Sequence, residues 1–335
     1  MTQKHVFTID AGTTNTRVCL WSPDERLIGA EKRGIGVRNT AIDGDNSRLK
    51  GAIRECLENL LAKNGLTYAD VSQVIAGGMI TSNVGLVEIP HLTAPVSAED
   101  LARGMRVESV PDVCPVPISF IPGVKNSAEA VTLDNFEAMD IMRGEEIETV
   151  ALMEQAGLSG PCLIVLPGSH TKFVSVDEKG RITGCLTSIT GELVSAITNN
   201  TIIADAVGRG FVQPETYDRE MLLLGCDTAQ KSGLGRACFS ARILSQFAKE
   251  SPERLANYIL GACLQSDVAA VQASNALKIP AGSAALVAGK PPLAQAVTDV
   301  LIHAGCFADV RLSETGSDLL LSAAGALSIA RRREK

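Results

Sequence analysis

An apolar, β-branched run at residues 6–9 meets an acid and a small, hydroxyl-rich turn before a second apolar stretch at residues 18–21. This pattern predicts a β-hairpin with Asp10 at its mouth. Backbone N–H groups and hydroxyls in such a turn suit phosphate oxygens, and a carboxylate at its edge can hold Mg²⁺ through water. An ordinary hairpin in which Asp10 and Thr13 only cap the turn explains these residues equally well.

The same arrangement returns in the second half of the chain. Residues 162–166 predict an apolar strand, residues 167–172 a tight polar turn, and residues 173–177 a second strand. A third strand follows in both places, at residues 27–34 and 181–187. We interpret this as an internal duplication of architecture in which the residues themselves are not repeated. Two such turns facing each other would clamp a triphosphate from both sides.

The second turn carries Gly168, Ser169, His170 and Lys172. Because Lys172 stands next to glycine and two hydroxyls, a phosphate contact is favoured over a surface position on the strand. His170 fits a phosphate contact and a plain turn residue equally well.

A strand–helix–strand order is predicted from the first hairpin onward. Apolar residues on one face indicate a helix over residues 47–63, and residues 71–76 form a buried strand. This order implies a right-handed crossover with parallel pairing, and loops at the carboxyl ends of parallel strands usually carry ligands. Ser82 and Asn83 lie on that loop, where substrate contact and local turn chemistry both stay open.

The middle of the chain is less regular. Prolines, among them Pro90, Pro95 and Pro111, interrupt residues 86–115, and a strand follows at residues 116–121. A polar loop and an acid-rich stretch then lead into a predicted helix, residues 149–156, with acids in its first turn. Acids there suit a helix N-terminus electrostatically, and this alone explains Glu145 and Glu146.

The remainder of the second half is mainly helical. Apolar residues at three- and four-residue spacing indicate helices over residues 193–207, 220–230, 236–249 and 253–277. A short buried strand then ends at Gly289, where the missing side chain lets a flat ligand approach the backbone. The α/β pattern is completed by a helix from residue 291, a strand at residues 307–312 and a final helix over residues 317–330.

The composition fits a globular protein with two ordinary domains in 335 residues, of which 45% are apolar and 21% charged. A net charge of −7 disfavours a nucleic-acid partner, and the run of arginines at residues 331–333 suits a helix end. The nine cysteines form no CxxC pair, so neither a zinc site nor a disulfide framework is indicated. No apolar run reaches the ~20 residues of a membrane span. We expect a cytoplasmic protein without a nucleic-acid or membrane partner, and the oligomeric state, a homodimer included, stays open.

Two common nucleotide-binding motifs are missing. No G-x-x-x-x-G-K-[ST] occurs, because Gly289-Lys290 is followed by proline, and this argues against a P-loop kinase. No G-x-G-x-x-G occurs either, which argues against a dinucleotide-binding dehydrogenase.

Seven strings are spread between residues 9 and 289: IDAGTTNTR, GGMITSNVG, FIPG, IMRGEE, LPGSHTKF, TGEL and LVAG. In this order they resemble the 2-keto-3-deoxygalactonate kinase (2-dehydro-3-deoxygalactonokinase) family of the actin/hexokinase/Hsp70 ATPase superfamily. The resemblance implies an α/β fold of two actin-like ATPase (ribonuclease H-like) domains around an interdomain cleft. It divides the chain into an N-terminal domain, residues 1–141, and a C-terminal domain, residues 142–335.

The resemblance also implies ATP-dependent transfer of the γ-phosphoryl group to the 6-hydroxyl of 2-keto-3-deoxy-galactonate, with ATP and Mg²⁺ as cofactors. Asp10 would organise Mg²⁺ through water, and Gly289 would lie under the adenine. The phosphates would be held by residues of both turns, namely Gly12, Thr13, Thr14, Gly168, Ser169, His170 and Lys172.

The resemblance further implies a carboxylate that accepts the proton of the reacting hydroxyl. Glu145 is the first candidate because it lies where the connecting helix begins, the place at which related sugar kinases carry their catalytic acid. Asp140 is the second candidate.

The carboxylate of a sugar acid needs a charged or bidentate partner. Arg17 and Arg143 are the candidates, unless local acids pair with them. Asn15, Ser82 and Asn83 are the candidates for its hydroxyl groups.

One residue departs from the family pattern and leaves the fine substrate preference open. Ala11 stands where many relatives are expected to carry a bulky tryptophan. A kinase for another sugar or sugar acid, and a non-kinase or chaperone-like actin-like ATPase, remain alternatives. A sugar-responsive regulator would add a DNA-binding helix-turn-helix, for which the residues before Val6 give no room. Epimeric sugar acids cannot be separated from sequence, because one or two hydrogen bonds worth ~1–3 kcal/mol decide between them.

Overall fold

The computed structural model describes residues 4–127, 129–313 and 318–333, except for the side chains of residues 318–320. The chain forms two compact units. Unit 1 comprises Met1–Ala128, Ile141–Leu158 and Asp318–Lys335, and unit 2 comprises Glu129–Asp140 and Ser159–Ser317. Within the described ranges, no helix has both the length and the apolar character that crossing a bilayer requires.

Unit 1 is built on a six-stranded sheet. The strands of unit 1, in this sheet and in a small second one, are β1 (His5–Ala11), β2 (Thr16–Trp21), β3 (Leu27–Arg33), β4 (Val71–Gly78), β5 (Leu92–Thr93), β6 (Arg106–Glu108), β7 (Ile118–Phe120), β8 (Val124–Lys125) and β9 (Ile141–Met142). The main sheet has the order β3-β2-β1-β4-β7-β6, and β5, β8 and β9 form a small second sheet. β1 pairs antiparallel with β2 and parallel with β4, which confirms the predicted hairpin and the predicted parallel pairing.

The described helices of unit 1 are α1 (Val37–Asp43), α2 (Ser47–Lys63), α3 (Ala98–Gly104), α4 (Glu145–Ala156) and α10 (Asp318–Arg333). Of these helices, α2 packs on β2 and β3, and α10 packs on β1 and β4. α2 has the predicted bounds, and its Ile53 and Leu57 are fully buried in one cluster with Phe7 and Leu20 of the sheet. Apolar residues at three- and four-residue spacing therefore place α2 on the sheet, as the pattern indicates.

Unit 2 repeats the hairpin architecture. Its strands β10 (Cys162–Leu166), β11 (Thr171–Val176), β12 (Ile182–Ser188), β13 (Ala284–Val287) and β14 (Asp309–Leu312) form a sheet in the order β12-β11-β10-β13-β14. β10 pairs antiparallel with β11 and parallel with β13, just as β1 pairs with β2 and β4. The structure therefore confirms the predicted duplication.

Helices pack tightly in unit 2, where they are α5 (Thr190–Asn200), α6 (Arg219–Ser232), α7 (Leu234–Ile243), α8 (Pro252–Ala273) and α9 (Leu293–Ala304). A Cβ atom built on Gly225 would lie 1.9 Å from the carbonyl oxygen of Tyr258, and one on Gly261 would lie 1.8 Å from that of Leu222. Glycine at both positions therefore lets the backbones of α6 and α8 approach at their crossing.

The helices predicted around α5 and α7 are shorter than expected. α5 ends at Asn200, and a separate 3₁₀ turn follows at Ala204–Val207. Hydroxyls of Thr198 and Thr201 hydrogen bond back to the preceding turn, a competition that disfavours continuing the helix. α7 passes into a π-helical turn at Leu244–Ala248. The predicted start of the last helix, residue 317, lies outside the described residues.

The two units do not follow the domain boundary predicted at residues 141 and 142. α4 follows that boundary in sequence, yet it belongs to unit 1. α10 packs against α3, α4 and β1, so the end of the chain also returns to unit 1. Because the chain passes between the units repeatedly, a single boundary cannot describe it.

Candidate active site

The first turn of unit 1 presents two threonines to solvent. The N–H of Gly12 donates to the carbonyl of Asn15 over 2.9 Å and closes the turn between β1 and β2. Thr13 and Thr14 are exposed, and Asn15 Nδ2 donates to Thr14 Oγ1 at 2.8 Å. Within the described part of the chain, the N–H groups of Thr13 and Thr14 have no protein acceptor. The turn thus keeps backbone donors that suit an anion.

Helix α1, which the sequence did not predict, supports this turn from one side. The N–H groups of Val37 and Arg38 donate to the carbonyls of Gly12 and Thr13, at 3.1 and 2.9 Å. A Cβ atom on Gly36 would lie 2.5 Å from both of these carbonyl oxygens. The carbonyl groups of Gly12 and Thr13 therefore anchor the turn to α1, which leaves the N–H groups of Thr13 and Thr14 available.

Asp10 lies between this turn and the end of β4. Its Oδ2 accepts from Arg17 Nη1 at 2.9 Å. A Cβ atom on Gly78, where φ is +81°, would lie 2.8 Å from Asp10 Oδ1. Asp10, Gly77 and Gly144 also line one small cavity of about 10 Å³. Gly78 is therefore needed both for its left-handed backbone and for the space that Asp10 occupies.

The residues around Asp10 fit a loosely held Mg²⁺ and no all-protein metal cage. No three His, Cys, Asp or Glu side chains gather as ligands in the described ranges. Mg²⁺ usually keeps several waters and is held by one or two carboxylates together with substrate phosphates. The Asp10 side chain keeps 20% of its surface exposed and can serve in this way. Ala11, the departure from the family pattern, is fully buried beside it.

The loop after β4 is stabilised by its own hydroxyl groups. Thr81 Oγ1 donates to the carbonyl of Gly78 at 3.0 Å, and Ser82 Oγ donates to that of Met79 at 2.7 Å. Ser82 is buried and Asn83 is exposed. The donor of Ser82 therefore serves local turn chemistry, whereas Asn83 faces solvent.

Two glutamates begin α4 directly after Gly144, which has a φ of +113°. The N–H of Arg143 donates to Glu145 Oε2 at 3.1 Å, and the N–H of Gly144 lies 2.9 and 2.8 Å from the two carboxylate oxygens of Glu146. A Cβ atom on Gly144 would lie 3.4 Å from Gly78 Cα. The strings IDAGTTNTR, GGMITSNVG and IMRGEE therefore meet within unit 1.

Glu146 is an acid that the sequence reasoning explained only as a favourable helix start. It is 0% exposed, and burial, followed by the neighbouring Glu145 carboxylate, raises its pKa to about 8. The N–H of Gly144 and the charge of Arg143 oppose this rise of the pKa. The missed signal is helical spacing, because Glu146 shares its face with the buried residues Thr149, Val150 and Met153.

The two candidate arginines have different partners. Arg17 is paired with the acid Asp10, whereas the guanidinium of Arg143 donates to neutral acceptors of Thr81, Ile89 and His91. Burial lowers the pKa of Arg143 from its ordinary value. Sequence reasoning missed His91, for which its place in the proline-interrupted segment gives no signal.

The second turn, in unit 2, is supported in the same way as the first. Ser169 and His170 are exposed, and His170 Nε2 lies 2.9 Å from Glu192 Oε1. A Cβ atom on Gly191, at the start of α5, would lie 2.3 Å from the carbonyl oxygen of Gly168. α5 therefore holds the second turn as α1 holds the first, and this explains the glycine of the TGEL string.

Lys172 and Asp140 meet at the end of β12. Lys172 is only 5% exposed and its Nζ donates to Thr187 Oγ1, so the alternative of a surface strand position was wrong. Asp140 accepts from the N–H of Thr187 at 2.5 Å and from its Oγ1 at 3.0 Å. The Asp140 carboxylate thus anchors β12 in unit 2, whereas Glu145 belongs to unit 1.

Gly289 lies beside the second turn. The N–H of Ala288 donates to the carbonyl of Val165 at 2.9 Å and extends the pairing of β13 with β10. A Cβ atom on Gly289 would then lie 3.4 Å from Pro167 Cδ. The backbone at Gly289 is therefore next to the turn of unit 2 that carries Gly168 and Ser169.

Comparison with known proteins gives one family. A family model described as 2-keto-3-deoxy-galactonokinase matches residues 10–319. The chain is 30% identical over 204 residues to the 2-dehydro-3-deoxygalactonokinase of Escherichia coli (strain K12), covering 61% of this chain and 59% of that protein. It is 26% identical over 199 residues to the probable 2-dehydro-3-deoxygalactonokinase DgoK1 of Rhizobium meliloti (strain 1021), covering 59% of this chain and 58% of that protein. The alignments thus span less than two thirds of either relative.

Solved structures that share the fold include the following two. One is a protein from Sinorhizobium meliloti assigned as a 2-dehydro-3-deoxygalactonokinase, with a TM-score of 0.74, 21% identity and 98% coverage of both chains. The other is component A of the (R)-2-hydroxyglutaryl-CoA dehydratase of Acidaminococcus fermentans, with a TM-score of 0.50, 11% identity and coverage of 99% of this chain and 100% of that chain. These likenesses confirm the predicted actin-like α/β fold class.

Proposed function

The chain belongs to the 2-keto-3-deoxy-galactonokinase family, and we propose that it phosphorylates 2-keto-3-deoxy-galactonate at the 6-hydroxyl with ATP. The products would be 2-keto-3-deoxy-6-phosphogalactonate and ADP, a step of galactonate catabolism. One observation in unit 1 carries this proposal most directly: Gly78 lies against both Asp10 and Gly144. This contact gathers the acid of the phosphate turn, the loop after β4 and the turn that bears Glu145.

The two turns are the proposed phosphate sites. Phosphoryl transfer needs positioning and neutralisation of charge more than covalent chemistry. In unit 1 we assign this role to Gly12, Thr13 and Thr14, and among the described residues the two threonine N–H groups have no protein acceptor. In unit 2 we assign it to Gly168, Ser169, His170 and Lys172, and we place the adenine against Gly289.

Glu145 is the proposed general base, and Asp10 is the proposed partner of the water shell of Mg²⁺. Mg²⁺ bound with ATP would neutralise charge on the phosphates. Glu145 is partly exposed at the start of α4 and lies next to Gly144, so it can face an acceptor hydroxyl. Asp140 is the weaker candidate because its two oxygens hold Thr187.

The proposed acceptor site uses residues of the first turn, the start of β2, the loop after β4 and the turn before α4. Arg17, which is paired with Asp10, and Arg143 are proposed to contribute positive charge near the carboxylate of the sugar acid, with no bidentate contact from Arg143. Asn15, Ser82 and Asn83 are the proposed contacts of its hydroxyl groups. Of these, Asn83 is exposed, whereas the Ser82 hydroxyl can only accept while it donates to Met79.

Replacement of Gly191 by alanine is expected to raise the KM for ATP about tenfold, equivalent to ~1.4 kcal/mol. The new Cβ would lie 2.3 Å from the Gly168 carbonyl oxygen and would displace the second turn. Steady-state kinetics with varied ATP measures this change. Gly235→Ala is the matched control, because a Cβ there meets nothing within 4 Å. An unchanged KM for ATP in Gly191→Ala would argue against phosphate binding by the second turn.

The product identifies the reaction. Incubation with Mg-ATP and 2-keto-3-deoxy-galactonate should yield a phosphate monoester whose ³¹P NMR signal couples to the two methylene protons at C6. A kinase of the same superfamily that acts on another sugar or sugar acid would leave this acceptor unmodified and phosphorylate its own. A non-kinase actin-like ATPase would release inorganic phosphate and form no ester with any acceptor.

A further inference from the structure

The guanidinium of Arg143 has already used most of its donors. Nη1 donates to the carbonyl oxygen and to Oγ1 of Thr81, each at 2.7 Å. Nη2 donates to the carbonyl of Ile89 at 2.8 Å and lies 3.4 Å from His91 Nδ1. A guanidinium has five N–H donors, two on each Nη and one on Nε. Four of them are therefore directed at the loop between Thr81 and His91.

This arrangement does not suit a bidentate contact with a substrate carboxylate. Such a contact uses either both Nη atoms or Nε together with one Nη. In either geometry at least one required N–H of Arg143 is already bound to the loop. Arg143 thus connects the loop after β4 to the turn of Glu145, whose carboxylate accepts the Arg143 backbone N–H at 3.1 Å.

His91 completes this set of contacts as a neutral acceptor. Because a guanidinium can only donate, Nδ1 of His91 accepts and its ring proton lies on Nε2. Nε2 is buried and has no partner in the described part of the chain. Burial, followed by the charges of Arg143 and Lys125, lowers the pKa of His91 to about 4, so the ring stays neutral near pH 7.

The fit between His91 and Arg143 is tight on the side of Gly123. A Cβ atom on Gly123 would lie 2.8 Å from His91 Cδ2, 2.8 Å from Arg143 Cγ and 2.5 Å from the carbonyl oxygen of Met142. Gly123 belongs to the FIPG string and Arg143 to IMRGEE. The absence of a side chain at Gly123 is therefore what lets the ring and the guanidinium meet.

We propose that His91 is a positioning residue for the sugar-acid site, which holds the Arg143 guanidinium and thereby fixes the loop after β4 relative to Glu145. Arg143 acts in this arrangement through its loop contacts, and the carboxylate of the acceptor finds its bidentate partner elsewhere. This inference rests on the proposed kinase function. It predicts that changes at His91 lower kcat/KM for the acceptor and leave KM for ATP unchanged.

The test compares His91→Leu with His91→Asn. Leucine removes the acceptor at Nδ1 and leaves a charged donor of Arg143 unsatisfied, so kcat/KM for 2-keto-3-deoxy-galactonate should fall about tenfold or more. Asparagine places an amide oxygen near the position of Nδ1 and should restore kcat/KM to within about threefold of the wild-type value. KM for ATP should stay unchanged in both variants. His303→Leu, at an exposed histidine of unit 2 that contacts Asp227, is the control for loss of a histidine.

Equal loss in the leucine and asparagine variants, or full activity of His91→Leu, would overturn the positioning role. If His91→Leu does not accumulate as folded protein, Thr81→Val tests the same set of Arg143 contacts. Valine removes one Arg143 acceptor and also the hydrogen bond that Thr81 donates to Gly78, so Thr81→Ser, which keeps the hydroxyl, is its control. Thr81→Val should likewise lower kcat/KM for the acceptor and spare KM for ATP, and unchanged acceptor kinetics would contradict the inference. Failure of the proposed kinase function can be told apart from failure of this inference, because the wild-type protein itself would then show no acceptor-dependent activity.

Discussion

Replacement of Glu145 by glutamine is expected to lower kcat by about 10²–10⁴-fold, the usual contribution of a general base. The amide keeps the size of the side chain and can still accept the N–H of Arg143, but it cannot take a proton from the acceptor hydroxyl. KM for ATP should change little, because the phosphate turns are untouched. Steady-state kinetics with saturating 2-keto-3-deoxy-galactonate measures this effect.

Glu146→Gln is the matched control for Glu145→Gln. It changes the adjacent acid in the same way, but Glu146 is fully buried and its carboxylate holds the N–H of Gly144. A glutamine oxygen can accept the same bond, so most of the activity should remain. Loss of activity in Glu146→Gln together with retention in Glu145→Gln would reverse the two roles.

The same Glu146→Gln variant should change the pH dependence of stability. The folded-state pKa of Glu146 is raised from 4.5 to about 8. Below pH 4.5 the folded and the unfolded states both hold the proton, so Glu146 does not lower the free energy of unfolding there. Between pH 4.5 and about 8 the unfolded state releases a proton that the folded state keeps, so the free energy of unfolding falls as pH rises. At ~1.4 kcal/mol per pKa unit, the loss reaches about 4 to 5 kcal/mol above pH 8.

Glutamine removes this titration, so the advantage of Glu146→Gln over the wild-type protein should grow from pH 5 to pH 8. Urea unfolding at a series of pH values measures the difference in free energy. Glu55→Gln, at a carboxylate whose side chain is 67% exposed, is the control for the loss of one surface carboxylate. A difference for Glu146→Gln that stays constant from pH 5 to pH 8 would show that Glu146 ionises normally in the folded protein.

The strands and the duplication could be predicted because they depend on local patterns. A period-two or continuous apolar run next to glycine and hydroxyl residues is sufficient to define β1, β2, β10 and β11. The bounds of α2 follow from one apolar face and the Asn64-Gly65 ending. Both turns were recognised for the same reason, since their residue types suit only a few backbone conformations.

Other features depend on contacts that are distant in sequence. The small strands β5, β8 and β9 have two residues each, too few to show any period. The burial of Lys172 depends on its place between paired strands, where it lies opposite Thr187, and the Arg143 guanidinium binds Ile89, which lies 54 residues earlier in the chain. The roles of Gly36, Gly123 and Gly191 also emerge only when the backbone that approaches each of them is known.

Glu146 and His91 show two different reasons for what was missed. The helical spacing of α4 places Glu146 on a buried face, but an acidic side chain at this position also suits a helix N-terminus, so the sequence alone does not distinguish the two. His91 lies in a segment without regular structure, where no periodicity indicates which side chain points inward. For such segments the contacts, here with Arg143 and Gly123, are the first informative observation.

The most direct test of the kinase function is ADP release from Mg-ATP with a panel of acceptors. The panel contains 2-keto-3-deoxy-galactonate, its gluconate epimer, the corresponding neutral sugars and no acceptor. We predict that ADP release is stimulated by a keto-deoxy acid and by no other member of the panel. The epimer that stimulates it more strongly would identify the substrate. ADP release that is equal with and without every acceptor would contradict a sugar-acid kinase and favour an actin-like ATPase of another function.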